Sequence, residues 1–226
     1  MIIAVSDPCR PLPLEFDSAR PLEVEVGCGK GRFLTGRAAN HPERDFLGIE
    51  RMLGRVHSFD EKCRRMKLSN AHVLRLEALY TFWYLLPAHG VSVVYVFFPD
   101  PWPKRKHHSH RLFGPLFLRA LWKRLACGGR VEFATDHEEY FGFVTEECFP
   151  SSPWFRRVDP MDRGPEEWTE IETRFRGQGL PIFSAAWEAL PGEDYELEPM
   201  TVAPEDEPRA GIARRIGRKY ILEESA

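Results

Sequence analysis

A glycine-rich stretch that follows alternating apolar and acidic residues is the first part of the sequence that could do chemistry. Residues 21–26 alternate Leu and Val with Glu, which is typical of a β-strand. The strand runs into Gly27, Gly29 and Gly31 in a G-x-G-x-G pattern, and a helical pattern begins at about Phe33. Glycine lets a ligand approach the backbone, and the N–H groups at the start of a helix face that ligand. The stretch therefore predicts a nucleotide- or phosphate-binding loop.

Three glutamates at the ends of successive predicted strands narrow the choice of ligand. The dinucleotide pattern G-x-G-x-x-G is not met because Arg32 follows Gly31, and the Lys-Ser/Thr pair of a P-loop is missing. Glu50 is placed to accept hydrogen bonds from ribose hydroxyls, Glu77 from an adenine amino group and Glu25 from an ammonium group. A nucleoside with a cationic tail fits this set, so we expect S-adenosylmethionine rather than NAD or ATP. Taken singly, each feature also has an ordinary interpretation as a tight turn, a helix cap or a solvated acid.

A second stretch that could do chemistry runs from a buried strand into a cluster of charges, over residues 91–111. The apolar run at its start is typical of a parallel strand buried on both faces. The run stops at the segment PDPWP, residues 99–103, where three prolines force a stiff turn around Asp100 and Trp102. Four cations and three histidines follow, namely Lys104, Arg105, Lys106 and Arg111, and His107, His108 and His110. Ligands of open α/β sheets bind at the carboxyl ends of strands, so we expect Asp100 to lie in the site.

The order of the predicted elements gives the fold class. Strand patterns at residues 21–26, 45–50, 71–76, 91–98 and 130–135 alternate with helical patterns. This alternation is typical of an α/β protein with a doubly wound, mostly parallel sheet. A helix from Pro115 is predicted to stop at Gly128-Gly129, and the spacing of Asp136 and Glu139 predicts a capping box for the next helix. Residues 154–158 and 181–186 are further candidate strands, with a short helix between them over residues 168–176.

Composition and length restrict the class of protein. A chain of 226 residues suits one α/β domain, which we place at residues 21–188, after an irregular lead-in over residues 1–20 and before an acidic linker and basic tail over residues 189–226 that could be disordered. The sequence contains no apolar run long enough to span a membrane and no signal-peptide pattern. The five cysteines form no C-x-x-C pair, so we expect free thiols, no metal and a cytoplasmic location.

The net charge of −3 excludes a uniformly basic nucleic-acid binder but leaves room for a local cationic patch. Residues 104–111 form such a patch, and its cations would hold phosphates if the partner is RNA. Trp102 could then stack on a base, although packing in the wall of the site is the simpler interpretation. The three histidines are interpreted as polar loop residues rather than metal ligands. No protein partner is implied, and both a monomer and a homodimer are compatible with the sequence.

The stretch FPDPWPK at residues 98–104, with the basic and histidine residues and Arg111-Leu112 after it, resembles the signature of the bacterial tRNA (guanine-N7-)-methyltransferase family. VEVGCGKG (24–31), GIE (48–50), ATDHEEY (134–140) and TRF (173–175) are similar to the family's segments and follow in the same order. The resemblance covers about residues 22–187. It implies a Rossmann-like sheet of seven strands, S-adenosylmethionine as cofactor, and methylation of a guanine in the variable loop of tRNA.

The resemblance also implies roles for individual residues. Glu25, Glu50 and Asp100 are expected to bind the cofactor, and Asp100 to be the catalytic residue. Lys104, Asp136 and Thr173 are expected to contact the substrate.

Two departures from the family pattern bear on these roles. Glu77 stands where the family usually has Asp or Asn, and Arg176 stands where a substrate contact is usually Glu. We keep Glu77 as a cofactor residue and Arg176 as a substrate residue. The inverted charge at Arg176 leaves two alternatives open. One is methylation of another RNA or of a small molecule, and the other is a non-catalytic RNA-binding protein with a methyltransferase fold.

Overall fold

A computed structural model of the chain describes residues 1–3 and 19–192 and contains one mixed sheet of eight strands. The strands are β1 Ile2–Ile3, β2 Leu22–Val26, β3 Asp45–Glu50, β4 Ala71–Arg75, β5 Val91–Phe97, β6 Leu125–Thr135, β7 Phe155–Val158 and β8 Phe183–Ala189. Their order is β1-β4-β3-β2-β5-β6-β8-β7; the two pairings of β8 are antiparallel, and all the other pairings are parallel. The predicted mostly parallel α/β sheet is therefore confirmed. The acidic linker and basic tail, from residue 193 onward, lie outside the described residues.

The count of eight exceeds the expected seven because Ile2 and Ile3 pair with Val73 and Leu74 at the edge of the sheet. The N-terminal residues were expected to be irregular, so this short strand is a departure from the prediction. Two apolar β-branched residues fit such a pairing well.

The helices are α1 Arg32–Asn40, α2 Leu53–Met66, α3 Ala78–Tyr80, α4 Pro115–Arg124, α5 Glu138–Gly142 and α6 Glu170–Gly177. The π-helical turns Thr81–Leu85 and Phe143–Cys148 prolong α3 and α5, and short 3₁₀ helices lie at Arg105–His110 and Pro165–Glu167. The prediction that α4 stops at Gly128-Gly129 is wrong. It ends at Arg124 because the next residue, Leu125, is fully buried and already pairs with Val91 of β5.

The sheet is covered on both faces, which explains why β5 is apolar almost throughout. Tyr95 and Phe97 belong to a core cluster with α1 and α2, whereas Val94 and Val96 belong to a second cluster with α4 and α5. Alternate side chains of one strand thus fill two different cores. No helix among the described residues is long and apolar enough to cross a membrane.

β2 and β5 are neighbouring strands in the middle of the sheet. The chain continues from β2 toward one edge of the sheet and from β5 toward the other. This is the topological switch point of the sheet, where a crevice forms at the carboxyl ends of the strands. The glycine loop follows β2 and the PDPWP segment follows β5, so the fold brings the two predicted motifs to this crevice.

Candidate functional site

The glycine loop has positive φ values at its three glycines and is hydrogen-bonded to the neighbouring strand. Gly27, Gly29 and Gly31 have φ values of 72°, 56° and 72°, which side chains other than glycine rarely adopt. The Gly27 N–H donates to the Ile49 carbonyl at 2.8 Å, so the loop is anchored at the end of β3. A side chain at Gly31 would collide with the ring of Phe59. The three glycines are thus needed for the loop to have this shape.

Glu25, the next-to-last residue of β2, is a buried carboxylate with an orphaned oxygen. The residue is 3% exposed, and its Oε2 has no hydrogen-bond partner among the described residues. The pKa of Glu25 is raised to about 8, chiefly because burial penalises the charged form; the positive charge of Arg163 lowers it in part, and the nearby Glu50 contributes to the rise. A buried acid of this kind is costly unless a donor or a cation meets it. The ammonium group of S-adenosylmethionine would supply one, so the residues present fit that cofactor.

Glu50, at the end of β3, is a carboxylate fixed by the backbone around it. Its Oε2 accepts from the Gly29 N–H at 3.1 Å, and its Oε1 accepts from the N–H groups of Arg51 and Met52 at 2.7 and 2.9 Å. Arg55 is a weaker ionic partner at 3.5 Å. The acid therefore helps to shape the glycine loop and lies directly beside it, where it could also bind a ribose.

Glu77 serves as a helix cap. Its Oε2 accepts from the Tyr80 N–H at 2.7 Å at the start of α3, and the side chain is half-buried. The capping interpretation of this strand-end acid is thus correct, and an adenine contact would have to use the other carboxylate oxygen.

The PDPWP segment leaves β5 through two residues with left-handed backbone. Phe98 and Trp102, both directly before a proline, have φ values of 50° and 46°. Such conformations cost about 1–3 kcal/mol each and persist where the surrounding structure imposes them, often at functional sites. Asp100 lies between the two and is exposed at the mouth of the crevice.

Arg111 holds this segment in place from inside the protein. It is 7% exposed, and its Nε donates to the Pro101 carbonyl at 3.0 Å while its Nη2 pairs with Glu139 of α5 at 2.5 Å. Its guanidinium also lies over the rings of Tyr140 and Phe143. The expectation that Arg111 binds phosphate is therefore wrong, because its charge is buried and used within the protein.

The other predicted cations are available to a partner. Lys104, Arg105 and Lys106 are exposed, at the start of the 3₁₀ helix Arg105–His110. Trp102 is half-buried, and its ring lies 5.0 Å from the ring of His110 and 5.8 Å from that of His107. No group of side chains suited to a metal ion occurs in the described part of the chain.

The three segments expected to contact substrate meet around Phe98. The Phe98 N–H donates to the Ala134 carbonyl at 2.7 Å, and its ring packs edge-on against Phe175 at 6.0 Å. Each contact point lies two residues from a predicted site residue, namely Asp100, Asp136 and Thr173. The fold therefore brings the three segments together, although their contacts are made by Phe98, Ala134 and Phe175 rather than by the predicted site residues themselves.

Asp136 does not cap α5 as the sequence pattern predicted. His137 is the cap, with its Nδ1 accepting from the Tyr140 N–H at 3.2 Å. The chain reaches α5 one residue later than expected because the His137 N–H is itself held by the Thr135 hydroxyl at 3.2 Å. Asp136 is exposed beside the crevice and is left available to a ligand.

Thr173 and Arg176 lie on the exposed side of α6. The Thr173 hydroxyl donates to the Thr169 carbonyl at 2.9 Å. Arg176 pairs with Glu172 one turn earlier at 3.2 Å and lies over the ring of Trp168. The charge that departs from the family pattern is thus balanced within the helix.

Sequence reasoning missed Arg163. It lies in the connection between β7 and α6, where no periodicity marks it, and its side chain is only 10% exposed. It pairs with Glu172 at 3.1 Å and lies over Phe97 at the end of β5. Only the folded chain reveals that this arginine reaches the crevice.

Comparisons with known proteins agree with this geometry. Residues 19–185 match the model of the family described as "Putative methyltransferase". The chain is 32% identical over 192 residues to the tRNA (guanine-N(7)-)-methyltransferase of Chromohalobacter salexigens, covering 83% of this chain and 77% of that protein. It is 39% identical over 180 residues to the protein of the same name from Alkalilimnicola ehrlichii, covering 76% and 75%.

Solved structures support the fold. The crystal structure of a 16S rRNA methyltransferase superposes with a TM-score of 0.56 at 16% identity, covering 80% of this chain and 95% of that one. Among the first relatives, the chain spans from 54% to 77% of their own length. The family match and the two relatives lead to one conclusion. The chain belongs to the tRNA (guanine-N7-)-methyltransferase family.

Proposed function

We propose that this protein transfers a methyl group from S-adenosylmethionine to N7 of a guanine in the variable loop of tRNA. The names of its relatives support this activity. The observation that carries the proposal is the position of Asp100. It is exposed at the switch point, with the buried Glu25 and the glycine loop on the neighbouring strand and the exposed cations of residues 104–106 directly after it.

The reaction needs positioning more than acid–base chemistry. When bound, S-adenosylmethionine supplies a methyl carbon that accepts the N7 lone pair as its bond to sulfur breaks, so that positive charge passes from the sulfonium to the guanine ring. N7 carries no proton at neutral pH, so no base is required. Holding two reactants in line is worth effective molarities on the order of 10⁵–10⁸ M. The chain's main task is therefore to hold the guanine against the crevice.

Asp100 has the catalytic role in this proposal. Its exposed carboxylate at the crevice would stabilise the positive charge that develops on the guanine ring. Glu25 would receive the cofactor's ammonium group, Glu50 its ribose and Glu77 its adenine, with Gly27, Gly29 and Gly31 allowing close approach. These assignments agree with a loop anchored to β3 and with the unpaired oxygen of Glu25.

The residues that would contact the tRNA are exposed. Lys104, Arg105 and Lys106 would hold phosphates, which fixes the position of the RNA rather than its sequence. Asp136 can accept from the guanine N1–H and amino group, because it is exposed and does not cap α5. Thr173 and Arg176 lie on the exposed face of α6, whose Phe175 packs on Phe98.

We also propose a cytoplasmic location, where unmodified tRNA is available. The four described cysteines are free thiols, in agreement with a reducing compartment. The protein would act as a monomer or a homodimer.

The test is methyl transfer from labelled S-adenosylmethionine to an unmodified tRNA transcript, followed by nucleoside analysis. We expect 7-methylguanosine as the product. A matched transcript with 7-deazaguanosine at the variable-loop guanine has carbon in place of N7 and should accept no label. Label that persists in this transcript would place the reaction at another atom or another site. Cofactor binding without transfer to any tRNA would instead favour a non-catalytic RNA-binding protein.

A further inference from the structure

Arg163 lies at the switch point of the sheet. Its guanidinium carbon is 4.3 Å from the centroid of the Phe97 ring and 5.4 Å from that of the Phe33 ring. Phe97 is the last residue of β5, and Phe33 is the second residue of α1, directly after the glycine loop. The cation therefore spans the two motifs that form the crevice.

The connection that carries Arg163 is fixed on both sides. The Met161 N–H donates to Glu132 Oε2 at 3.0 Å, which ties the connection to β6. Glu167 pairs with Arg37 at 2.9 Å, which ties it to α1. An arginine on such a support keeps its position without a ligand, and preorganisation of this kind favours tight and specific binding.

The internal partners of Arg163 leave part of its charge available. Its Nη1 donates to the Glu167 carbonyl at 2.8 Å and its Nη2 to Glu172 Oε1 at 3.2 Å, while its Nε forms no hydrogen bond with any described residue. Glu172 also pairs with Arg176 at 3.2 Å. Arg163 and Arg176 thus share one buried carboxylate, so the cluster keeps a net positive charge and the Nε of Arg163 stays available.

Glu25 lies on the same side of the crevice and would supply the opposite charge once it ionises against a ligand cation. It pairs in register with Tyr95 of β5, whose ring contacts that of Phe33, over which the Arg163 guanidinium lies. Arg163 is the strongest charged influence on Glu25, yet the two form no ion pair. A carboxyl group with an unpaired oxygen and a guanidinium group with an unused Nε therefore lie near each other without forming an ion pair.

A zwitterionic amino acid would satisfy both groups at once. We infer that Arg163 binds the α-carboxylate of the cofactor's amino-acid end, while Glu25 accepts from its ammonium group. Guanidinium–carboxylate contacts are strong because they are charge-assisted and match in shape. This inference rests on the proposed function, since it concerns the cofactor of the same site.

The test is binding of three ligands, measured by calorimetry on the full chain. S-adenosylhomocysteine carries both charged groups, its decarboxylated analogue lacks only the carboxylate, and 5′-methylthioadenosine lacks both. Arg163→Met should weaken S-adenosylhomocysteine binding about tenfold or more, about 1.4 kcal/mol, and change binding of the decarboxylated analogue by less than about twofold. Glu25→Gln should weaken both amine-containing ligands and leave 5′-methylthioadenosine unchanged.

Arg157→Met is the matched control, because Arg157 also lies over an aromatic ring, that of Trp187, but is exposed on the edge strand β7, away from the crevice. It should leave all three affinities unchanged. If Arg163→Met weakens the binding of S-adenosylhomocysteine and of its decarboxylated analogue equally, the inference is wrong and Arg163 has a structural role.

A conservative variant and the wild-type protein provide two further tests of the inference. If Arg163→Met does not fold, Arg163→Lys should show the same ligand selectivity with a smaller loss. Wild-type protein that binds S-adenosylhomocysteine and the decarboxylated analogue equally would contradict the inference without any variant. Wild-type protein that binds none of the three ligands would contradict the proposed function itself, which is a separate failure.

Discussion

Glu25 and Asp100 are carboxylates at the same edge of the sheet, but their surroundings are opposite. Glu25 is enclosed below the glycine loop with an oxygen that nothing in the described chain satisfies, whereas Asp100 faces water. A buried acid is suited to receive a fixed cationic group of a ligand, and an exposed one to meet a large substrate. In the proposed function, Glu25 therefore binds the cofactor inside the crevice and Asp100 meets the tRNA at its surface.

The first prediction concerns Asp100. Asp100→Asn keeps the shape and removes the charge, so turnover of tRNA should fall about a hundredfold or more. Stability should change by less than about 0.5 kcal/mol because the residue is exposed. Asp159→Asn, which removes an exposed charge from the connection after β7, should retain full turnover. Single-turnover kinetics with saturating tRNA would measure this, and a near-normal rate in Asp100→Asn would remove its catalytic role.

The second prediction concerns the cost of burying Glu25. Burial raises its pKa to about 8 in the folded protein, so the folded state holds the proton more tightly than the unfolded state. The stability that this proton contributes is present in full below the unfolded pKa of about 4.5 and is lost as pH rises to about 8. Glu25→Gln cannot ionise and should escape that loss.

The ligand-free variant should therefore match the wild type near pH 4 and exceed its free energy of unfolding by on the order of 2–4 kcal/mol at pH 8. Urea unfolding across this pH range would measure the difference. A gap that does not widen with pH would show that Glu25 is ionised at little cost in the folded protein.

At the scale of elements, the position of the PDPWP segment depends on one buried arginine. Arg111 connects the Pro101 carbonyl to Glu139 of α5, so the position of Asp100 is coupled to the helix after β6. We predict that Arg111→Met lowers the turnover number more than tenfold, about 1.4 kcal/mol in the barrier, with little change in the KM for tRNA. It should also lower stability by about 1–3 kcal/mol, because charge-assisted hydrogen bonds are lost.

Lys104→Met is the matched comparison for this third prediction, because Lys104 is exposed at the start of the same cationic patch. It should raise the KM for tRNA and leave the turnover number nearly unchanged. Steady-state kinetics of the two variants side by side would distinguish a positioning residue from a phosphate contact. A raised KM in Arg111→Met, with an unchanged turnover number, would restore the phosphate role.

The elements could be predicted where local chemistry decides them. The glycine loop, the strand-end acids and the turn at the prolines each follow from residue types in sequence, and the folded chain brings them to one crevice. The errors arose where tertiary contacts decide the outcome. Leu125 ends α4 early because β5 offers it a buried place, and His137 replaces Asp136 as the cap because Thr135 holds its N–H.

The exposure of charged side chains could not be predicted from the sequence either. Arg105 and Arg111 look alike in the sequence, yet one is exposed and the other is buried against Tyr140 and Phe143. Arg163 gave no signal, since its position depends on Phe33 and Phe97, which are distant in sequence. Residue type predicts a charge, but only packing decides whether a ligand can reach it.

At the scale of the whole molecule, a protein with a net charge of −3 would have to bind a polyanion, the tRNA. A local cluster of like charges can attract RNA to one face even when the total charge is negative. The exposed cations of residues 104–106 lie beside Asp100 at the carboxyl edge of the sheet. RNA held there would have its guanine near the crevice, so the charge pattern would select orientation as well as affinity.

The last prediction tests this placement through salt dependence. Each phosphate that a cation neutralises adds about 0.7–0.9 to the slope of log affinity against log salt. Reversing Lys104 and Lys106 to Glu should therefore lower the slope for tRNA by about 1.4–1.8. Reversing Arg65 and Lys67, two exposed cations at the end of α2 near the opposite edge of the sheet, changes the net charge equally. If affinity depends on the local cluster, this control should leave the slope unchanged, whereas equal effects of the two pairs would mean that total charge alone governs binding.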